Sequence, residues 1–103
     1  MTIGRKHWAI ARGWISPIGD ETVSLLNVSV EDAHVEITVY YSDRDPVGPY
    51  RVTVPARRTK HVQFDSLTDP ESIPRETDYA STIESDVPIV VQHSRLFAFP
   101  GNE

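Results

Sequence analysis

The chain contains no cysteine. Disulfide staples, thiolate chemistry and cysteine-ligated metals are excluded with it. Long apolar runs are missing too. No segment approaches the roughly 20 apolar residues that a membrane span needs. The opening MTIGRKHWAIARGW carries charge early, and its apolar run is too short for a secretory signal. A cytoplasmic protein is the expectation. No amphipathic helix, internal repeat or low-complexity tract is present. The four histidines, His7, His34, His61 and His93, show no HxH or HExxH spacing, so no metal site is expected. Ser24, Ser81 and Ser94 lack a GxSxG context, and the short glycine-containing pieces GRK, GD and VGPY are turns, not phosphate loops. Glu21 and Glu36 are isolated carboxylates of a kind that usually faces solvent. A non-enzymatic protein without a cofactor follows.

What is present is alternation. Val35, Ile37, Val39 and Tyr41 alternate with Glu36, Thr38 and Tyr40, the period of a half-buried strand. Ser42 to Pro49 breaks the pattern with Asp, Pro and Gly, and Tyr50, Val52 and Val54 resume it, so the pair reads as an antiparallel hairpin with a long polar loop. Shorter runs predict strands over Lys6–Ala11, Glu21–Ser29, Arg58–Phe64 and Tyr79–Ser85. Pro88–Phe99 is apolar on both faces at its start, as a central buried strand is. Asp65–Thr77, with Pro70 and Pro74, reads as an irregular excursion with room for one helical turn.

Short strands with turn signals at this spacing indicate an all-β fold, a single antiparallel β-sandwich of jelly-roll type with little or no helix. With 103 residues the chain is one domain, expected over 1–99 with a disordered tail at 100–103. Its hydrophobic share of 39% suffices for a thin two-layer core that subunit association would support.

The net charge of −5 argues against a general nucleic-acid binder, but it is unevenly spread. Between Asp65 and Asp86 seven acids face one base, Arg75, so that stretch carries −6 and the remainder is close to neutral. Just before it, Arg57, Arg58 and Lys60 gather three of the ten basic charges. On a strand Arg57, Thr59, His61 and Gln63 share one face, and Arg58, Lys60, Val62 and Phe64 the other. Arginine suits carboxylate and phosphate because its planar fork donates two parallel hydrogen bonds. An edge guard, an anion site and a subunit contact all remain open for this cluster. His93, between Gln92 and Ser94 in the strongest strand, reads as a hydrogen-bonded core or pocket histidine. Trp8, Trp14, Tyr40, Tyr41 and Tyr50, with Asn27 and Gln92, supply flat rings and amides that would suit a sugar-like molecule or an ordinary sandwich core.

With these residues in view the chain resembles the sensory rhodopsin transducer family. The resemblance runs from about Ile3 to Leu96. EDAHVEITVYYSDRDPVGPYRVTVPARRTKHVQF and VPIVVQHSRL carry it, supported by IGRKHWAIARGWI and ETVSLLNVS. It implies a small β-sandwich that assembles as a homotetramer, a partner of the microbial rhodopsin type in the membrane, small-molecule binding with sugars favoured, and no enzymatic activity. DNA binding through the Arg57–Lys60 cluster is the alternative it carries. Matching residue by residue, the implied ligand set is Trp8, Asn27, Arg57, His61, Gln92, His93 and Arg95, with Arg58 and Lys60 as subunit or anion contacts. The chain departs from the family where Phe97, Ala98 and Phe99 follow the RL pair in place of an acidic residue and a polar tail.

Overall fold

Residues 2–17 and 20–96 are described by the computed structural model, the side chains of residues 20, 95 and 96 excepted. The expected tail at 100–103 and the stretch Phe97 to Phe99 lie outside the described residues. Six strands follow in order: β1 (Arg5–Trp14), β2 (Asp20–Asn27), β3 (Ala33–Tyr40), β4 (Val47–Val54), β5 (Arg58–Gln63) and β6 (Asp78–Leu96). A single 3₁₀ turn, Phe64–Ser66, opens the excursion between β5 and β6. Every pairing is antiparallel.

Two strands expected from the sequence, 79–85 and 88–99, are one. β6 runs for 19 residues and belongs to two sheets. Its first half lies between β1 and β3, with β4 outside β3. Its second half pairs with β2, and β2 with β5. A straight strand of that length would measure about 60 Å, longer than the 46 Å long axis of the molecule, so β6 must turn a corner. It does so at Asp86–Val87–Pro88. There β3 has ended its pairing at Ser85, β2 begins at Val90, and two residues of β1 (Arg5 to His7) span five of β6. Pro88 has no N–H to offer a ladder, and at a change of neighbours it costs none. The Ser85 hydroxyl accepts the Val87 N–H at 3.3 Å.

Strand periodicity fills the space between the sheets. Val35, Ile37 and Val39 of β3 are at most 1% exposed, while Glu36 and Tyr40 face outward. Tyr50, Val54, Val62, Phe64, Ile83 and Ile89 join them in the core. Each such aliphatic or aromatic side chain contributes about 1.5–3 kcal/mol by leaving water. The β3–β4 hairpin is tighter than its sequence suggests, since β4 begins at Val47 opposite Val39.

Inward positions on β2 read Glu21, Val23, Leu25, Asn27, all at 0% exposure. The middle of that face is apolar and both ends are polar. This overturns the expectation that Glu21 faces solvent.

Candidate functional site

The register across the second sheet sorts the expected ligand set. Ser24 lies between His61 of β5 and Gln92 of β6, and the Ser24 hydroxyl and His61 Nδ1 are 2.7 Å apart. His61 and Gln92 therefore share the outer face. His93 is next along β6 and points the other way, opposite Val23, because successive strand residues alternate. Arg95 pairs in backbone register with Glu21, and its side chain lies outside the described residues. The Ser24–His61 pair is a cross-strand hydrogen bond on an open face. No carboxylate among the described residues orients His61, and nothing there excludes water, so it lacks the makings of a nucleophile–base set.

Two other members of the set work inside the fold. The Asn27 amide donates to the carbonyls of Glu31 (2.8 Å), Val54 (3.0 Å) and Pro55 (3.3 Å). Its oxygen accepts the N–H and hydroxyl of Ser29 at 3.0 and 2.8 Å. It thus latches the β2–β3 turn to the end of β4. Trp8 donates its indole N–H to the carbonyls of Arg5 (3.1 Å) and Ile89 (3.0 Å), fastening β1 beside the corner of β6.

At the inner end of β2 lies a cluster that the motifs did not announce. One carboxyl oxygen of Glu21 accepts the backbone N–H of Trp14 and the hydroxyl of Tyr79, the latter at 3.2 Å. Its other oxygen is 3.3 Å from His93 Nε2. Gly13 makes room for this, because a Cβ there would lie 2.4 Å from the Tyr79 ring and 2.9 Å from the Glu21 carboxyl. The Tyr79 ring stacks on Phe64 with centroids 5.7 Å apart. The signal was parity, since Glu21 is in phase with Val23 and Leu25.

The basic run lies on the rim where β4 crosses to β5. Arg57 occupies a left-handed conformation (φ 58°), and its N–H donates to Ser29 at 3.1 Å. Arg58, Lys60 and His61 follow along β5, all exposed. Lys60 reaches across to the Thr53 carbonyl of β4 at 3.4 Å. Beneath the rim an open groove of 590 Å³ has Val52, Val62 and Leu67 as its apolar part, with Lys60 and His61 among its polar lining.

Five of the seven acids that follow in sequence are engaged elsewhere. Asp65 pairs with Arg75 (2.9 Å), Glu71 with Arg44 (2.9 Å), Asp78 with Arg12 (3.3 Å), Glu84 with His7 (3.7 Å) and Asp86 with His34 (2.7 Å). Among the described residues no ion pair involves Arg57, Arg58 or Lys60.

On the outer face of the first sheet Tyr40 stands 40% exposed, its hydroxyl 3.4 Å from that of Thr82. It separates two shallow cavities. One, of 350 Å³, adjoins His7, Trp8, Thr38, Thr82 and Glu84; the other, of 390 Å³, adjoins Arg12, Ser42 and Asp78. An aromatic ring flanked by hydroxyls and by acid–base pairs suits a polyol, whose apolar face stacks while its hydroxyls bond in pairs.

No group of three or more metal-ligating side chains occurs among the described residues. No helix there is long and apolar enough to cross a membrane.

Comparison with known proteins bears on this geometry. The family described as Anabaena sensory rhodopsin transducer matches residues 3–99. A solved structure titled "Anabaena sensory rhodopsin transducer" is 66% identical, superposes with a TM-score of 0.86, and is matched over 91% of this chain and 99% of its own. A second structure, described as Thermotoga maritima 1070, is 28% identical with a TM-score of 0.88 over 96% of this chain and 86% of its own. No curated protein matches.

Proposed function

The chain belongs to the sensory rhodopsin transducer family, and from that premise we propose that it is a non-enzymatic signalling module that takes its signal by contact with a microbial rhodopsin at the cytoplasmic side of a membrane. The carrying observation is the 66% identity over nearly the whole length of a protein whose title names a sensory rhodopsin transducer. The test is calorimetric titration of the chain into a microbial rhodopsin held in lipid nanodiscs, dark and illuminated. Micromolar association that changes with light supports the reading. No heat in either state sinks it.

Assembly as a homotetramer belongs to the same proposal. Leu26, Val28 and Val30 leave an apolar stripe 40%, 42% and 73% exposed along β2 and the turn after it, a surface that association would cover. Light scattering on a sizing column should give about four times the 11.6 kDa chain mass. A monomer mass at tens of micromolar removes this part.

A second reading rests on Tyr40, whose exposed ring and polar flanks favour a sugar-like ligand. Thermal shifts across a panel of sugars should be positive for at least one member and vanish in Tyr40→Ala. A flat panel removes it.

A further inference from the structure

We propose that the free edge of β5 is a docking site for an extended acidic peptide, which would add to the second sheet as a further antiparallel or parallel strand. Among the described residues β5 pairs on one side only, with β2. Its other edge therefore presents a row of backbone donors and acceptors, the template that strand addition uses.

Charge selects the occupant. Arg57, Arg58 and Lys60 crowd this edge, and no ion pair among the described residues involves them, although the chain as a whole carries −5. Five of the seven acids between Asp65 and Asp86 are paired with Arg75, Arg44, Arg12, His7 and His34 instead. Arg57 adds its charge from a left-handed backbone conformation that residues other than glycine rarely adopt.

The groove supplies the second element of recognition. A strand laid along β5 presents alternate side chains to opposite faces. One set would meet the 590 Å³ groove with its Val52, Val62 and Leu67 surface. Carboxylates on the peptide would meet the guanidinium groups of Arg57 and Arg58 and the ammonium group of Lys60. The ligand is thus a β-prone segment that combines acids with aliphatic residues. The same lysine and arginines would repel a second β5 edge, so the edge stays open to an acidic strand while refusing its own copy. This inference is independent of the rhodopsin reading and would survive its failure.

The test uses the full chain and a fluorescent ten-residue peptide of alternating valine and glutamate. Controls are the valine–lysine peptide, a valine–glutamate peptide with prolines replacing two central residues, and a double-stranded DNA oligonucleotide. We expect micromolar binding of the acidic peptide, at least about tenfold weaker binding of the proline version because it lacks backbone donors, and no binding of the lysine version. The exposed double variant Arg58→Glu/Lys60→Glu should lose about tenfold or more in affinity for the acidic peptide. Amide hydrogen exchange supplies a readout specific to the backbone: β5 amides should gain protection on binding while β1 amides do not. The proposal is overturned by no binding, by equal binding of the proline peptide, or by protection in the free protein of those β5 amides that do not bond to β2. Preference for DNA without β5 protection would also overturn it, replacing it with a phosphate contact.

Discussion

Asn27 and Glu21 occupy opposite ends of one buried strand face, and they are held in different ways. Asn27 is neutral and is held mostly by main chain, with three carbonyls on its nitrogen and the Ser29 N–H beside the Ser29 hydroxyl on its oxygen. Glu21 is acidic; it accepts from the Trp14 N–H and the Tyr79 hydroxyl, and the His93 ring stands 3.3 Å away. Backbone partners do not titrate and cannot rotate away. Side-chain partners can be altered one at a time. The comparison teaches that the same burial can make one polar residue a fixed fastener and the other an adjustable one.

The most damaging test exchanges the charges. Asn27→Asp should cost about 4 kcal/mol or more, because it would set carboxylate oxygens against carbonyl oxygens in the interior. Glu21→Gln should be mild by comparison, since an amide oxygen can still accept from Trp14 and Tyr79. Denaturant melts of both variants measure this, and equal losses would erase the distinction. Truncation comes next. Glu21→Ala should cost about 3 kcal/mol by leaving buried donors without their acceptor, and a loss below about 1 kcal/mol would mean that water replaces the carboxyl group.

Tyr50 extends the comparison to high pH. It is 1% exposed, and its hydroxyl donates to the Glu71 carbonyl at 2.6 Å. Burial pushes its phenol up to about 12. The unfolded chain releases that proton near pH 10 and the folded chain does not, so stability should fall from about pH 10 upward. The full loss is about 3 kcal/mol and is complete as pH passes about 12. Tyr50→Phe should remove this slope while costing about 1 kcal/mol at neutral pH.

The smallest effect lies on the surface, where His34 and Asp86 bond through side chain and backbone. The hydrogen bond to Asp86 raises the imidazole pKa, and the backbone and side-chain hydrogen bonds from His34 lower that of the carboxyl. The stabilisation from His34 is full below its ordinary pKa of about 6.5 and disappears as pH rises through the raised one. That from Asp86 is full above the ordinary carboxylate range and disappears as pH falls through the lowered one. The pair therefore acts most between about pH 4 and 6.5. An NMR titration of His34 should show its pKa falling back in Asp86→Asn, and an unmoved titration would deny the coupling.

Strand parity made much of the fold legible. Val35, Ile37 and Val39 pointed inward as their spacing required, and Val62 and Phe64 fixed the inner face of β5. The union of two strands into β6 was hidden by Pro88, which punctuates most sequences but here marks a change of neighbours. Parity also separates Gln92 from His93, adjacent residues that one strand cannot aim at one place. Glu21 shows the reverse case. Its phase was visible, but the general habit of strand carboxylates pointed outward, and only the meeting of Tyr79, His93 and Trp14 from distant segments reveals why it turns in. The rim cluster was plain in sequence; what could not be read there was that five of the acids after it are occupied by bases from other strands and loops.

The corner of β6 also sets a phase. Beyond it, even-numbered Gln92 looks out across Ser24, and odd-numbered His93 looks in toward Glu21. One residue gained or lost between Asp86 and Pro88 would leave the pairing of β6 with β3 untouched and invert every side chain after the bend. With one residue gained, Gln92 would take the inward place opposite Val23 that His93 now holds, and His93 would stand on the open face opposite Thr22.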